Sequence, residues 1–505
     1  MIRRNSMRKM RTTLASVALL LALVLSVSGV AAINPGQGSS TIAVMNIETG
    51  QANVVPVLNA QSGAVAETLA GFTLEPYGSK LVASSEWTVG NGFIGSMTLF
   101  SDKQLATVAL LGWSGGDAPD GRKNATYVGS SEPSGALYFP DANITPSFYS
   151  FLAIQNTGGA DVEITMTYYR DDGTQTAQVV DTIPASGQHS YDLSDPSDPM
   201  VPDLLALVSS TQWKGSVYVE ATDPPMEPVL AGVAVRQWVK WAGSYSGFAD
   251  GATDLYFPVI TRRINSLGWF QYTSVQLFNT QPTTTTIDME FRDIDGNVVN
   301  KASPCSYSYD VGERQFFSFT THELYPGMMT ADCLNFGTQF DGSLYISATQ
   351  QMVGVANNIR IQRDSVGTYE ASFEGSDEIL LPIVYKKQAS SGGAWRIFSN
   401  ILLMNLDDTN PTDVTVEFYD TSGNLLLTLN DGGPGGAERL EPLSPIALNT
   451  RYGGNRHVPS DYNALPYNYQ GAARITSTGE PVVAVVDTLW VGNQSGGGSY
   501  NGYNP

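Results

Sequence analysis

The amino-acid sequence carries one set of landmarks four times, always in the same order. An asparagine closes an apolar segment at Asn46, Asn156, Asn279 and Asn405, and a glycine follows at Gly63, Gly173, Gly296 and Gly423, offsets of 17, 17, 17 and 18 residues. A Gly-Ser pair comes next, at Gly95-Ser96, Gly215-Ser216 and Gly342-Ser343, softened to Gly471-Ala472, and then a valine, at Val108, Val233, Val355 and Val485. Five residues past each valine stand Trp113, Trp238, Arg360 and Trp490, and each unit closes around Tyr127, Tyr245, Tyr369 or Tyr500. Fixed spacing between landmarks, with different side chains in between, is the trace of a duplicated folded unit, because register must be kept while surface residues drift. Fold and function are therefore to be read once per unit of roughly 120 residues.

Within a unit the pattern is that of strands. Val162, Ile164, Met166 and Tyr168 alternate with Glu163, Thr165 and Thr167; Ile287, Met289 and Phe291 alternate with Asp288, Glu290 and Arg292; Val414, Val416 and Phe418 alternate with Thr415 and Glu417. Period two of this kind predicts strands with one buried face. They run into "RDDGT", "RDIDGN" and "YDTSGN", whose Asp, Asn and Gly suit tight hairpins. About seven short strands per unit, without helical periodicity, predict an all-β chain of four tandem antiparallel β-sandwich domains of immunoglobulin- or fibronectin-like type. Propeller blades recur at about 40–50 residues, less than half this period. The expected boundaries are a signal peptide at 1–32 and repeats at 33–136, 137–254, 255–378 and 379–505. "LYFP" opens the second and third repeats and "ILLP" the fourth; the first has no such opening and is the most degenerate.

The leader has Arg3, Arg4, Arg8, Lys9 and Arg11 ahead of an apolar core from Leu14 to Val27 and the small residues Val30-Ala31-Ala32. That is the layout of a cleaved secretory signal, and the core is short for a membrane span. No second long apolar run follows, so the mature chain is expected outside the membrane, secreted or at the cell surface, with no membrane span. Removing the leader takes five of the 27 basic residues and none of the 48 acidic ones, leaving a net charge near −26. Such a surface repels phosphate backbones, which excludes nucleic acid as a partner.

Only two cysteines occur, Cys305 and Cys333, both in the third repeat. In an exported chain such a pair is expected to form a disulfide. Catalysis finds little support: His189, His322 and His457 occupy different repeat positions, no nucleophile elbow, zinc-protease motif or phosphate loop is present, and a carboxylate pair in an inserted loop is the one hydrolase arrangement left open. The chain is read as a non-enzyme, with no metal site and no cofactor. Calcium is the one ion its loops could suit, at "DPSDP" (195–199) and "DDTNPTD" (407–413), neither of which matches the twelve-residue loop pattern.

Two features point to binding. The connection from turn glycine to Gly-Ser pair spans 32, 42, 46 and 48 residues in the four repeats, and a loop that varies on a constant scaffold is where specificity sits. Trp113, Trp238, Trp241 and Trp490 form the second, candidates for stacking on sugar rings or for sealing the rim of each repeat.

The fourth repeat, with "FSNILLMNLDDTNPTDVTVEFYDTSGNLLLTL", "PVVAVVDTLW" and "SYNGY", resembles tandem repeats in large exported surface proteins of filamentous Chloroflexota-type bacteria. The resemblance is traceable through the second and third repeats and faint in the first, and it implies a non-catalytic surface or matrix component. The expectation is an extracellular structural or adhesive rod of four sandwiches that binds other surface proteins, or itself head to tail, through variable loops and chain ends. The alternative is an array of carbohydrate-binding modules that holds polysaccharide on its tryptophans.

Overall fold

The computed structural model describes residues 17–20 and 37–505, except 91, 115–121, 131, 239, 266–267, 302–304, 323–338, 362–363, 430–438, 456 and 492–495. Its regular structure is almost entirely antiparallel strand. No helix among the described residues is long and apolar enough to cross a membrane.

The second repeat shows the common plan. An opening strand, Ala136–Thr145, leads into an asparagine strand, Phe148–Asn156, and a hairpin, Val162–Arg170 with Gln175–Ile183. A short strand, Gln188–Asp192, pairs with the asparagine strand; the Gly-Ser strand Trp213–Asp223, the valine strand Leu230–Trp238 and the closing strand Ala242–Ser246 complete the unit. Opening strands recur at Ala252–Asn265 and Glu378–Gln388, and in the third repeat the Gly-Ser and valine segments form one strand, Gln339–Arg360. The pairing register of each opening strand slips between Phe139 and Ala142, Phe257 and Ile260, or Leu381 and Val384, around Pro140, Pro258 and Pro382. Proline has no N–H to give a ladder, so it belongs at such a bulge, and a bulge bends the strand. The bent strand borders both halves of its repeat, so repeats two to four each hold one continuous sheet folded over a core instead of two separate sheets. In the first repeat the halves are separate sheets.

The hairpins of the third and fourth repeats alternate buried and wetter residues as their sequences predict, with Val414, Val416 and Phe418 buried, whereas in the second Thr165 and Thr167, expected on the wet face, are buried as well. The asparagine and valine strands do not alternate: Phe151 to Ile154 and Val482 to Val486 are buried without interruption. Their second face is covered by the preceding repeat. Phe151, Ala153, Val233 and Val235 of the second repeat belong to the core of the first, and Phe278, Val353 and Val355 of the third to the core of the second. Leu402 and Val485 of the fourth join the core of the third, while Ala43 and Val108 of the first join that of the fourth. The last step closes a circle.

The expected rod is therefore corrected to a closed pseudo-fourfold ring. Apolar runs such as "FLAIQN" and "PVVAVVDTLW" would leave one face in water along a rod, and the ring removes both faces from water. Closure also occupies the surfaces that head-to-tail addition at the chain ends would need, since the fourth repeat already packs on the first.

Candidate functional site at the ring junctions and hub

Each landmark asparagine is fully buried and ties two turns together. Asn279 Nδ2 donates to the carbonyls of Thr283 (2.7 Å), Gly312 (2.8 Å) and Val311 (3.3 Å), while its Oδ1 accepts from Gln281 N (3.0 Å). Asn46, Asn156 and Asn405 make the corresponding sets, with shortest donor contacts of 2.7 Å to Gly50, Ala160 and Asn410. The second of the two turns carries a non-glycine residue in the left-handed region in every repeat: Tyr77, Ser186, Arg314 and Leu443, with φ between 50° and 59°. That conformation costs an L-residue about 1–2 kcal/mol, and the asparagine bonds help hold it in place.

The strained turn is the receptor for the neighbouring repeat. All four landmark glycines have φ between 80° and 84°, as their hairpins require, and each hairpin tip rests on the turn of the next repeat. A Cβ on Gly63 would lie 1.9 Å from Ala185 O, on Gly173 2.4 Å from Glu313 O, on Gly296 3.0 Å from Glu441 Cβ, and on Gly423 2.3 Å from Pro76 O. Gln188 N donates to Gln61 O and Ser79 N to Thr421 O, both at 3.1 Å, across the first-to-second and fourth-to-first junctions. The two strongest sequence landmarks, asparagine and glycine, are the two halves of this inter-repeat joint.

At the centre the closing strands Arg122–Val128, Ala242–Ser246, Ser365–Glu370 and Gly496–Asn501 pack against one another in cyclic order. Every step has a hydrogen bond: Ser246 Oγ to Val128 O (2.9 Å), Ser246 N to Glu370 Oε1 (2.6 Å), Glu370 N to Asn501 Oδ1 (3.1 Å) and Thr126 Oγ1 to Ser499 O (2.6 Å). Burial pushes the Glu370 carboxyl up to about 7, against the opposing pull of its Ser246 bonds. A hub cavity of about 550 Å³ draws Tyr127, Gln155, Glu370 and Tyr503 from the four repeats. The side-chain amide of Gln155 is buried without a hydrogen-bond partner.

Two junctions also contain buried charge. The residue two past the landmark valine is Leu110, Val235, Asn357 or Asp487. Asp487 is paired with Arg360 of the third repeat and with Ser499, and Asn357 Nδ2 reaches Asp141 of the second repeat at 3.2 Å, where Asp141 is paired with Arg236. Apolar side chains fill the equivalent place at the other two junctions. A misplaced repeat would bury Asp487 without Arg360, a costly error, so this position fixes the order of repeats around the ring. A second cavity of about 530 Å³ borders the third and fourth repeats and is lined by Arg263, Asp341, Asn358, Arg360, Asp487 and Tyr452.

The residues singled out as binding candidates are dispersed. Trp113 is only 2% exposed and packs in the core of the first repeat, so it has no free face for a sugar ring. Trp238 packs edge-on to Trp241 with centroids 6.2 Å apart, and Arg236 lies over its ring at 4.4 Å. Trp490, at the end of the last valine strand, is half-buried. Cys305 is among the described residues and Cys333 lies outside them, as does most of the third variable loop. In the candidate calcium loops Asp195, Asp198 and Asp407 accept hydrogen bonds from nearby backbone amides, and no group of three or more His, Cys, Asp or Glu among the described residues is placed to hold a metal.

Sequence reasoning missed Asp141, Arg236, Asn357, Glu370 and Asp487. Arg360 in place of tryptophan and Asp487 in place of valine were visible as departures at repeated positions, but only the ring makes them neighbours.

No known protein family matches the chain, and no curated protein does. Among solved structures, Thermotoga maritima 1070 is 16% identical over 25% of this chain and 96% of its own, with a TM-score of 0.18. The Anabaena sensory rhodopsin transducer is 17% identical over 20% of this chain and 92% of its own, at 0.15. A tetra-tandem repeat from the extending region of a large adhesion protein is 11% identical over 97% and 100%, at 0.11. At these scores the likenesses carry no functional argument.

Proposed function

We propose that this chain is a non-catalytic extracellular protein of the cell surface, structural or adhesive in role, in which four sandwich-like repeats close into a ring that displays four different loop sets. One observation carries the reading: the residues kept in all four repeats hold turns, hairpin tips and the hub, while the connections that vary leave bulky side chains in water. Leu207 in the second connection and Tyr452, Val458 and Tyr467 in the fourth are 45–58% exposed. In the second and fourth repeats the described parts of the connection follow the short strand beside the asparagine strand and precede the Gly-Ser strand, which supports a display of loops at corresponding places in the repeats. A rigid ring bearing several weak sites binds by avidity, which suits attachment to a surface. In this reading Cys305 and Cys333 form a disulfide that secures the third loop.

A second reading, polysaccharide binding, has its own support in the fourth repeat. Arg451 lies 4.6 Å from the Tyr452 ring centroid and 5.5 Å from that of Trp395, and Tyr452 is 53% exposed. A planar cation with an exposed aromatic beside it is a credible sugar platform.

The test is retention of purified residues 33–505 on isolated cell envelopes, on immobilised envelope proteins and on a glycan panel. Shortening the connections at 194–211 and 451–466 should abolish retention while leaving strand circular dichroism and hydrodynamic radius unchanged. Full retention by the shortened chain would reject loop-mediated binding. Loss confined to glycans, reproduced by Tyr452→Ala, would select the second reading, and turnover of any panel member would overturn the non-catalytic assignment.

A further inference from the structure

Among the described residues, the first repeat has no long opening strand like those of the other three. In those repeats the opening strand runs along the Gly-Ser strand with Phe139 opposite Val217, Phe257 opposite Leu344 and Leu381 opposite Ala473, partners that lie two residues past Gly215, Gly342 and Gly471. Past the bulge at its proline, the same strand satisfies the closing tyrosine. Asp141 N donates to Tyr245 Oη at 3.0 Å, Tyr369 Oη donates to Val259 O at 2.7 Å, and Tyr500 Oη donates to Ile383 O at 2.5 Å. Tyr127 is the fourth member of this set. Its side chain is 3% exposed and its hydroxyl has no hydrogen-bond partner among the described residues.

In the first repeat a four-residue segment takes the place of the opening strand. Backbone Val17–Leu20 pairs antiparallel with the Gly-Ser strand of the first repeat, Gly95–Ser101, with Leu20 opposite Met97 and Val17 opposite Phe100. Leu20 thus lies opposite the residue two past Gly95 of the Gly-Ser pair, the register of Phe139, Phe257 and Leu381. These four residues belong to the apolar core of the expected leader, and cleavage after Ala32 would remove them. What remains is a sheet edge flanked by a buried, unsatisfied hydroxyl, a template for an incoming strand.

We propose that the edge of Gly95–Ser101 is a strand-acceptor site. Once the leader is gone it takes an extended peptide of another polypeptide, with bulky apolar residues followed by proline, the Leu-Tyr-Phe-Pro pattern that fills the slot in the second and third repeats. Main-chain hydrogen bonds to Met97–Phe100 supply affinity, the apolar residues supply register, and the bulge after the proline brings a backbone group to Tyr127 Oη. The proposal rests on the reading of residues 1–32 as a cleaved export signal.

The experiment uses residues 33–505 and a fluorescent synthetic peptide of residues 134–145, the opening strand of the second repeat. Saturable binding is expected by anisotropy, with slowed amide exchange confined to Met97–Phe100, and a scrambled peptide should not bind. Tyr127→Phe should weaken the peptide about 3- to 10-fold, the loss of one hydrogen bond. Should residues 33–505 fail to fold alone, the peptide fused by a flexible linker ahead of Gln37 should restore folding; failure to fold with the fused strand, or absence of binding by folded 33–505, overturns the proposal. Sequencing the N-terminus of the secreted protein separates the two readings. A terminus near Ile33 without peptide binding refutes the acceptor site alone. A chain that retains Val17–Leu20 refutes cleavage, and with it the need for a second polypeptide.

Discussion

Replacing Gly423 with alanine tests whether the ring is closed in solution. The hairpin tip of the fourth repeat has φ +83° at Gly423, and an added Cβ would stand 2.3 Å from Pro76 O of the first repeat. Left-handed backbone costs alanine about 1–2 kcal/mol wherever it occurs. Forcing an atom into a packed contact adds about 1–3 kcal/mol, and a displaced tip gives up the bond from Ser79 N to Thr421 O, worth about 1 kcal/mol. The expected loss is therefore about 3–6 kcal/mol. Gly392 is the internal control: it has φ +69° in the same repeat with nothing within 4 Å of the added Cβ, so Gly392→Ala should cost only the backbone share, about 1–2 kcal/mol. Urea midpoints at constant m give the two losses, and hydrogen exchange at Ser79 reports the junction itself. Equal losses for the two variants, with Ser79 exchange unchanged by Gly423→Ala, would mean that the tip is free in water and the ring open.

Removing one member of the Arg360–Asp487 pair, as in Asp487→Ala, should cost about 3–5 kcal/mol, whereas Arg360→Met with Asp487→Leu should recover most of that loss; both are read from urea midpoints. Asn279→Ala removes three donor contacts and one acceptor contact that hold the receiving turn, so a loss of about 2–4 kcal/mol is expected, together with faster exchange at Arg314 N. The Glu370 carboxyl is raised to about 7 in the folded chain from an ordinary value of 4.5, so between these limits the folded state holds the extra proton and stability falls as pH rises. Glu370→Gln should flatten that slope, seen by comparing urea midpoints at pH 5 and pH 8; an unchanged slope would show that other groups produce it. Tyr452→Ala should cost only about 0.5–1 kcal/mol from urea midpoints, because the residue is 53% exposed and its ring gives up only its contacts with Phe398 and Arg451.

The sequence by itself determined the all-β class, the fourfold duplication and the hairpins, because these are local. A period of two fixes which face of Val414 to Phe418 is buried, and Asp, Asn and Gly fix where the chain turns. It also marked the asparagines and glycines as the positions that do not drift. Only the tertiary structure decided why. Buried amides of Asn46, Asn156, Asn279 and Asn405 hold turns that meet a glycine tip from the adjoining repeat, a relation between residues more than a hundred positions apart, or at opposite ends of the chain for Gly423 and Pro76. A list of strands is compatible with a rod or a ring. The choice depends on whether the second faces of the asparagine and valine strands find cover, and burial of those faces from the fourth repeat back to the first removes more apolar surface from water than an open array can. The same long-range geometry makes neighbours of Arg360 and Asp487, gathers Tyr127, Gln155 and Glu370 at one hub, and pairs Val17–Leu20 with the Gly-Ser strand of the first repeat.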